Sequence, residues 1–260
     1  MLFATTNTRV AIAQVRMHWT LEENLSSIYD AMHLAQAEGA VICAFSELAI
    51  TGCHRKIASL AKPEIVDPAL EEIKNLSAKL KLAVALGAPT FDGAGLRYIS
   101  HHLIDETGNV SATVSKIGLT DPEATFFSRG NARPTGLMRG LRCTAVICRE
   151  VGDLKDVMAA VPRDSADLIF VPGSLRQDPE KPFSDPPQYV ADIRAIAIAT
   201  GAYMVQTNWP NALNRPEEST DAGRSCVVSP EGELLFRLPQ AASGIGVFNL
   251  GEREFEWHAR

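Results

Sequence analysis

The chain has 260 residues, 46% of them apolar and 22% charged, with a formal net charge of −6. That is ordinary globular composition, long enough to bury a sizeable core, and without a lysine or arginine cluster it excludes a nucleic-acid or anionic-membrane surface. Small molecules are the expected partners, and with no uninterrupted apolar run near ~18 residues and no signal-like N-terminal segment the expected location is cytoplasmic.

The first elements read clearly in chain order. Val10 to Val15 is a buried strand. Thr20-Leu-Glu-Glu23 is a capping box that opens a helix with an apolar face of Leu21, Leu25, Ile28, Met32 and Ala35, ended by Gly39. Val41 to Phe45 is a second buried strand. Asp67-Pro68 supplies a cap and first-turn proline for a helix carrying Leu70, Ile73 and Leu76, and Leu82 to Ala88 is a third strand. This βαβ alternation predicts parallel strands covered by helices. Between Tyr98 and Ser115 two strands flank Asp105-Glu-Thr-Gly-Asn109, a hairpin signal that adds an antiparallel edge.

The second half repeats the plan. Arg142 to Ile147 matches the first strand, Ser165 to Pro172 matches Gly39 to Ser46, and Val228 to Leu234 matches the Ile104 to Val110 hairpin. A two-fold duplication follows, and two sheets face to face with helices outside would bury both apolar sets. The expected fold is therefore α/β, a four-layer αββα sandwich of two mixed sheets with an internal pseudo-two-fold duplication. No linker divides the halves, so residues 1–260 are read as a single domain; the proline-rich segment Gln177 to Pro187 reads as a surface loop, and the charged tail from Glu252 to Arg260 as a solvated end or a partner contact.

Five cysteines, Cys43, Cys53, Cys143, Cys148 and Cys226, are widely spaced with no C-x-x-C, which predicts free thiols rather than disulfides or a zinc site. Cys148 is distinctive because it ends an apolar strand run and is followed by Arg149 and Glu150. A strand that delivers a thiol into a sharp turn exposes it for nucleophilic chemistry; on position alone a small core residue fits equally well. Two other segments also end strands in charged residues. Phe45-Ser-Glu47-Leu48 places a carboxylate at the rim of the sheet, and Val114-Ser-Lys116 places a lysine ahead of Glu123, Phe127 and Gly130.

The order Glu47, Lys116, Cys148 resembles the nitrilase (carbon-nitrogen hydrolase) superfamily, on its amidase-like side, over nearly the whole length. Phe45 to Gly52 is similar to the segment around the family's glutamate, with Ser46 where proline is common. Lys116 to Gly130 is similar to its lysine segment, with Gly118 in place of a frequent histidine. Cys148 with Glu150 fits its Cys-x-Asp/Glu, and Ala166 to Pro172, Arg194 to Asn208, and Gly223 to Gly232 resemble later segments. Two departures, Cys53 where tyrosine is frequent and Gly152-Asp-Leu154 after the cysteine segment, fall near the expected pocket wall.

The resemblance implies a cysteine hydrolase of small amide or N-carbamoyl compounds. A free thiol is mostly protonated at neutral pH, so a base, Glu47, must take its proton, and a cation, Lys116, must favour the thiolate and receive the tetrahedral oxyanion together with the Arg149 backbone N–H. Glu123 is expected to position substrate or support the base, and Arg149, Ser174 and Asn208 complete the expected substrate-binding set. The Arg149 side chain either meets a substrate carboxylate or pairs with a structural acid such as Glu150. No metal or cofactor is required by this chemistry, and a homodimer is expected, with the Ile193 to Ile198 helix contributing. Nitrile hydrolysis, acyl transfer by the same cysteine, and a non-catalytic binding protein are the alternatives.

Overall fold

The structure is a computed structural model that describes residues 8–175, 186–214 and 223–260; most of the Gln177 to Pro187 segment lies outside the described residues. The first sheet is built on three parallel strands, β1 (Arg9–Gln14), β2 (Ile42–Ala44) and β3 (Ala83–Phe91). The antiparallel strands β4 (Arg97–Ile104) and β5 (Val110–Ser115) extend it on one side. The second sheet repeats this with β7 (Leu141–Ala145), β8 (Leu168–Gly173) and β9 (Tyr203–Asn208) parallel, then β10 (Cys226–Val228) and β11 (Leu234–Arg237) antiparallel. Each sheet gains an antiparallel neighbour on its other side. The short β6 (Gly136–Met138) pairs β7, while β12 (Gly244–Asn249) pairs β1 and carries β13 (Phe255–Ala259).

The duplication extends to details. Both hairpins close with a backbone bond from a glycine, Gly108 N–H to Asp105 O at 3.0 Å and Gly232 N–H to Ser229 O at 2.8 Å, and both glycines hold a positive φ, 85° and 81°. A register shift precedes each turn, at Leu103/Ile104 and at Val227/Val228.

Alternate residues of each strand enter different cores, which explains why the central strands read as continuous apolar runs. Val10, Ile12, Leu103, Cys143, Phe170 and Val205 meet between the sheets. Ala11, Ala13 and Val84 instead face α1 (Leu21–Ala37) and α3 (Pro63–Leu80), while Ile169, Val171 and Met204 face α5 (Leu154–Ala160) and α6 (Tyr189–Thr200). The layers are thus helix, sheet, sheet, helix. Two single-turn helices, α2 (Ile57–Leu60) and α4 (Asp121–Ala124), lie in loops.

Thr20 caps the first helix, its Oγ1 accepting from Glu23 N–H at 3.3 Å, but the reciprocal half of the expected capping box is replaced: Glu23 Oε2 accepts from the Thr20 hydroxyl at 2.8 Å rather than from the Thr20 backbone N–H. The second helix departs from expectation: it begins at Pro63, and Pro68 lies inside it. Pro63 takes the first-turn role assigned to Pro68, which sits on the exposed face of the helix. The charged tail is neither a free end nor shown to meet a partner, because Phe255–Ala259 pairs along β12 with His258 opposite Ile245.

Candidate active site

The parallel strands of both sheets end on the same side of the molecule, and the three charged or nucleophilic segments converge there. The apolar run through β7 ends at Ile147; Cys148 then takes φ of 55° and opens a one-turn 3-10 segment, Cys148–Gly152. That left-handed backbone is uncommon for a residue with a side chain and swings the thiol out of the strand direction. Gly173 makes room: a Cβ there would lie 3.3 Å from Cys148 Cα and 3.1 Å from Leu175 Cγ. The thiol is less open than the sequence implies, since Cys148 is half-buried. Burial and then the Glu47 charge push its pKa up to about 12, partly opposed by Lys116 and the Ser174 backbone N–H, which hydrogen-bonds the sulfur.

Glu47 leaves the end of β2 on a turn seated on β3. A Cβ on Gly87 would fall 2.4 Å from both Ser46 O and Leu48 N, so only glycine allows this approach, and Leu48 itself has φ of 53°. The second sheet holds the same turn: Trp209 Nε1 donates to Glu47 O at 3.1 Å and Thr207 Oγ1 to Phe45 O at 2.8 Å. Lys116 follows β5, its N–H bonded to Ile99 O at 2.8 Å and its carbonyl accepting from Gly130 N–H at 2.8 Å.

Lys116 is wholly buried, and its ammonium donates to Glu47 Oε1 at 2.8 Å and to Glu123 Oε1 at 2.7 Å. Glu123 is fixed by a capping box at α4, its other oxygen accepting from Thr120 N–H at 2.8 Å. Burial pulls the Lys116 pKa down, but Glu47, Cys148 and Glu123 together outweigh it, so it is raised and the side chain stays charged. Glu47 is pushed up by burial, against the lowering effect of Lys116 and of a hydrogen bond from the Cys148 thiol. At rest, burial and the neighbouring Glu47 favour a neutral Cys148 thiol. The arrangement suits transfer of the thiol proton to Glu47 during attack.

Glu150, read in the sequence as part of a motif and as a candidate partner of Arg149, fixes the nucleophile's turn to the lysine loop. Its Oε1 accepts from Ile117 N–H at 2.6 Å and Gly118 N–H at 3.0 Å, and its Oε2 from Ile147 N–H at 2.7 Å and Arg133 Nη1 at 3.1 Å. Glu150 and Arg133 are both buried, with side chains 1% and 4% exposed. Arg149 pairs with Asp153 at 2.6 Å, rather than with Glu150, and reaches Leu119 O at 3.5 Å. This pair fills the space beside Gly118, where a Cβ would lie 2.4 Å from Asp153 Oδ2. The spacing of Arg149 and Asp153, four residues apart, was the signal available in the sequence.

Asn208 is committed to backbone, accepting from Leu175 N–H at 2.8 Å and donating to Leu175 O at 2.7 Å and Gly223 O at 2.8 Å. It secures the segment after β8 that carries Ser174, which meets Cys148 through its backbone N–H. Cys53 lies close enough to Glu47 and Cys148 for burial and their charges to hold its thiol well above the ordinary value. It lines a cleft of about 360 Å3 with Leu48, Ile57, Glu123, Phe126 and Phe127. A separate cleft of about 280 Å3, bordered by Leu141, Leu168 and Tyr203, lies at the opposite ends of the strands. Among the described residues the one group of donors close enough to hold a metal ion is Glu38, Glu256 and His258, outside this cluster, where Arg9 already pairs with Glu256 at 3.0 Å.

Comparison with known proteins places this geometry in a family. Residues 9–252 match the carbon-nitrogen hydrolase family. Comparison with curated proteins gave no match. Among solved structures the fold is similar to an amidase from Nesterenkonia sp. AN1. A glutamate-to-glutamine mutant of that amidase, with the acetamide moiety of fluoroacetamide covalently added at its active-site cysteine, is 26% identical, with a TM-score of 0.80 over 96% of this chain and 93% of that one. A cysteine mutant in complex with butyramide is 25% identical, with a TM-score of 0.81 over 95% and 92%. A double mutant in complex with acrylamide is 25% identical, with a TM-score of 0.80 over 96% and 93%. The match through nearly the whole length shows that this chain belongs to the carbon-nitrogen hydrolase family of the nitrilase superfamily, on its amidase-like branch, as a cysteine-dependent hydrolase of carbon–nitrogen bonds.

Proposed function

We propose that the protein hydrolyses small amides to a carboxylic acid and ammonia through a thioester on Cys148. The observation that carries this reading is the buried Lys116 held between Glu47 and Glu123 at 2.8 and 2.7 Å, with the Cys148 thiol hydrogen-bonded to Glu47. Glu47 accepts the thiol proton as sulfur adds to the amide carbonyl carbon. The developing oxyanion is met by the third N–H of Lys116, which its two carboxylates leave uncommitted, and by the Arg149 backbone N–H. Collapse of the tetrahedral intermediate breaks the carbon–nitrogen bond, with Glu47 returning the proton to the departing nitrogen. Glu47 then takes a proton from water as its oxygen attacks the thioester, and collapse of the second tetrahedral intermediate breaks the carbon–sulfur bond, with Glu47 returning that proton to the Cys148 sulfur as the acid leaves. Glu123 holds Lys116 in place. The acrylamide and butyramide complexes of the Nesterenkonia amidase support an amide over a nitrile.

Ammonia release from acetamide, propionamide and butyramide tests the reading. Wild-type protein is expected to release it and Cys148→Ala to release none; failure of the wild type on all three refutes it. The same reading includes a cytoplasmic homodimer, to be tested by fractionation and by sedimentation.

A further inference from the structure

The cleft beside Glu123 is larger than an acetamide skeleton requires, at about 360 Å3, within the ~300–1,000 Å3 span of small-molecule sites. Its walls are apolar, from Leu48 and Ile99 within to Ile57, Ala58 and Phe126 nearer the mouth. Two formal charges border it at neutral pH. Glu123 is at the inner end, its carboxylate held by Lys116 and Thr120, and the exposed Arg55 is at the outer end. His54, also on the wall, is kept neutral because burial holds its pKa below the ordinary value.

Arg55 is held in position. Its guanidinium lies 4.8 Å from the Trp19 ring centroid, and Asn214 accepts from its Nη1 at 3.3 Å and from its backbone N–H at 2.7 Å. Lys56 lies over the same ring at 4.9 Å, and among the described residues no carboxylate pairs with either cation. An anionic group entering the cleft is repelled by Glu123 and drawn to Arg55, which turns the opposite end of the same molecule inward toward Glu123, bonded to Lys116, and Cys53, close enough to Cys148 to feel its charge.

We propose that this cleft is the acyl subsite and that it takes amides whose acyl part is an apolar spacer ending in a carboxylate, with that carboxylate on Arg55. This rests on the reading of Cys148 as the amide-cleaving thiol. Adipic acid monoamide and hexanamide, of equal chain length, are titrated calorimetrically into the full-length Cys148→Ala variant. The monoamide is expected to bind about tenfold more tightly, the scale of a charge-assisted hydrogen-bonded pair. Adding Arg55→Gln should remove that difference, and Ala58→Trp, at the exposed mouth, should weaken both ligands. Equal affinities with Arg55 intact, no binding of either amide, or a difference that survives Arg55→Gln overturns the proposal. Binding needs no turnover, so these outcomes are separate from failure of the amide reading, which wild-type ammonia release from acetamide reports.

Discussion

Replacing Glu150 by glutamine keeps the shape of the side chain and changes one oxygen into a donor. In the native protein both oxygens accept: Oε1 from the Ile117 and Gly118 N–H groups, Oε2 from the Ile147 N–H and Arg133. Whichever way the new amide turns, one pair of buried donors faces another donor, and Arg133 loses its buried counter-charge. Each unsatisfied buried group costs about 1–3 kcal/mol, and breaking a buried pair by removing one partner about 3–5 kcal/mol. These overlap, so the expected loss for Glu150→Gln is about 3–5 kcal/mol, a large part of the ~5–15 kcal/mol of a typical domain. In urea the midpoint should fall by roughly 1 M or more with little change in slope. Burial raises the Glu150 pKa, but Arg133 and the N–H groups of Gly118 and Ile147 outweigh it, so the net direction is down. Its stabilisation is therefore present above the unfolded carboxylate value near ~4.3 and lost as pH falls through the depressed folded value, so the variant should show less of the wild type's acid destabilisation. A loss below about 1 kcal/mol, or undiminished acid sensitivity, would refute the hub role.

Glu47→Gln should lower kcat/KM for amide hydrolysis by at least about 10²–10⁴-fold, the range of general acid–base catalysis, with folding preserved by circular dichroism. The pH profile of wild-type kcat/KM should fall on the acid side at a pH above the ordinary carboxylate range, because Glu47 must be ionised to accept the proton and burial raises its pKa. No alkaline limb is expected through pH ~9, since the thiol is pushed up to about 12 and Lys116 is raised as well; a fall in rate setting in near pH ~7 would contradict this. Gly87→Ala places a Cβ 2.4 Å from Ser46 O and Leu48 N. It should cost about 1–3 kcal/mol in urea denaturation and reduce kcat through displacement of Glu47.

What the sequence made legible was local or periodic. Thr20 with Glu23, the glycine hairpins and the buried strands each rest on neighbouring residues, and these elements form where expected. Asp67-Pro68 misled because proline marks a first turn by its geometry alone, and Pro63, three residues after α2 ends at Leu60, answers the same description. The tail strand Phe255–Ala259 was hidden by its charged residues, since an edge strand needs only one apolar face. Glu47, Lys116 and Cys148 come together from three strand ends, and their order along the chain was visible. The work of Glu150 was not, because its four donors come from three separate segments and no spacing encodes them.

The central claim is that Cys148 carries the acyl group. Wild-type protein is mixed with butyramide, quenched in acid within the first turnovers, and weighed intact, with peptide mapping to locate any added mass. One butyryl group on Cys148, lost on Cys148→Ser, is the predicted result. Ammonia released with no adduct at any quench time, or an adduct on Cys53 instead, would contradict it.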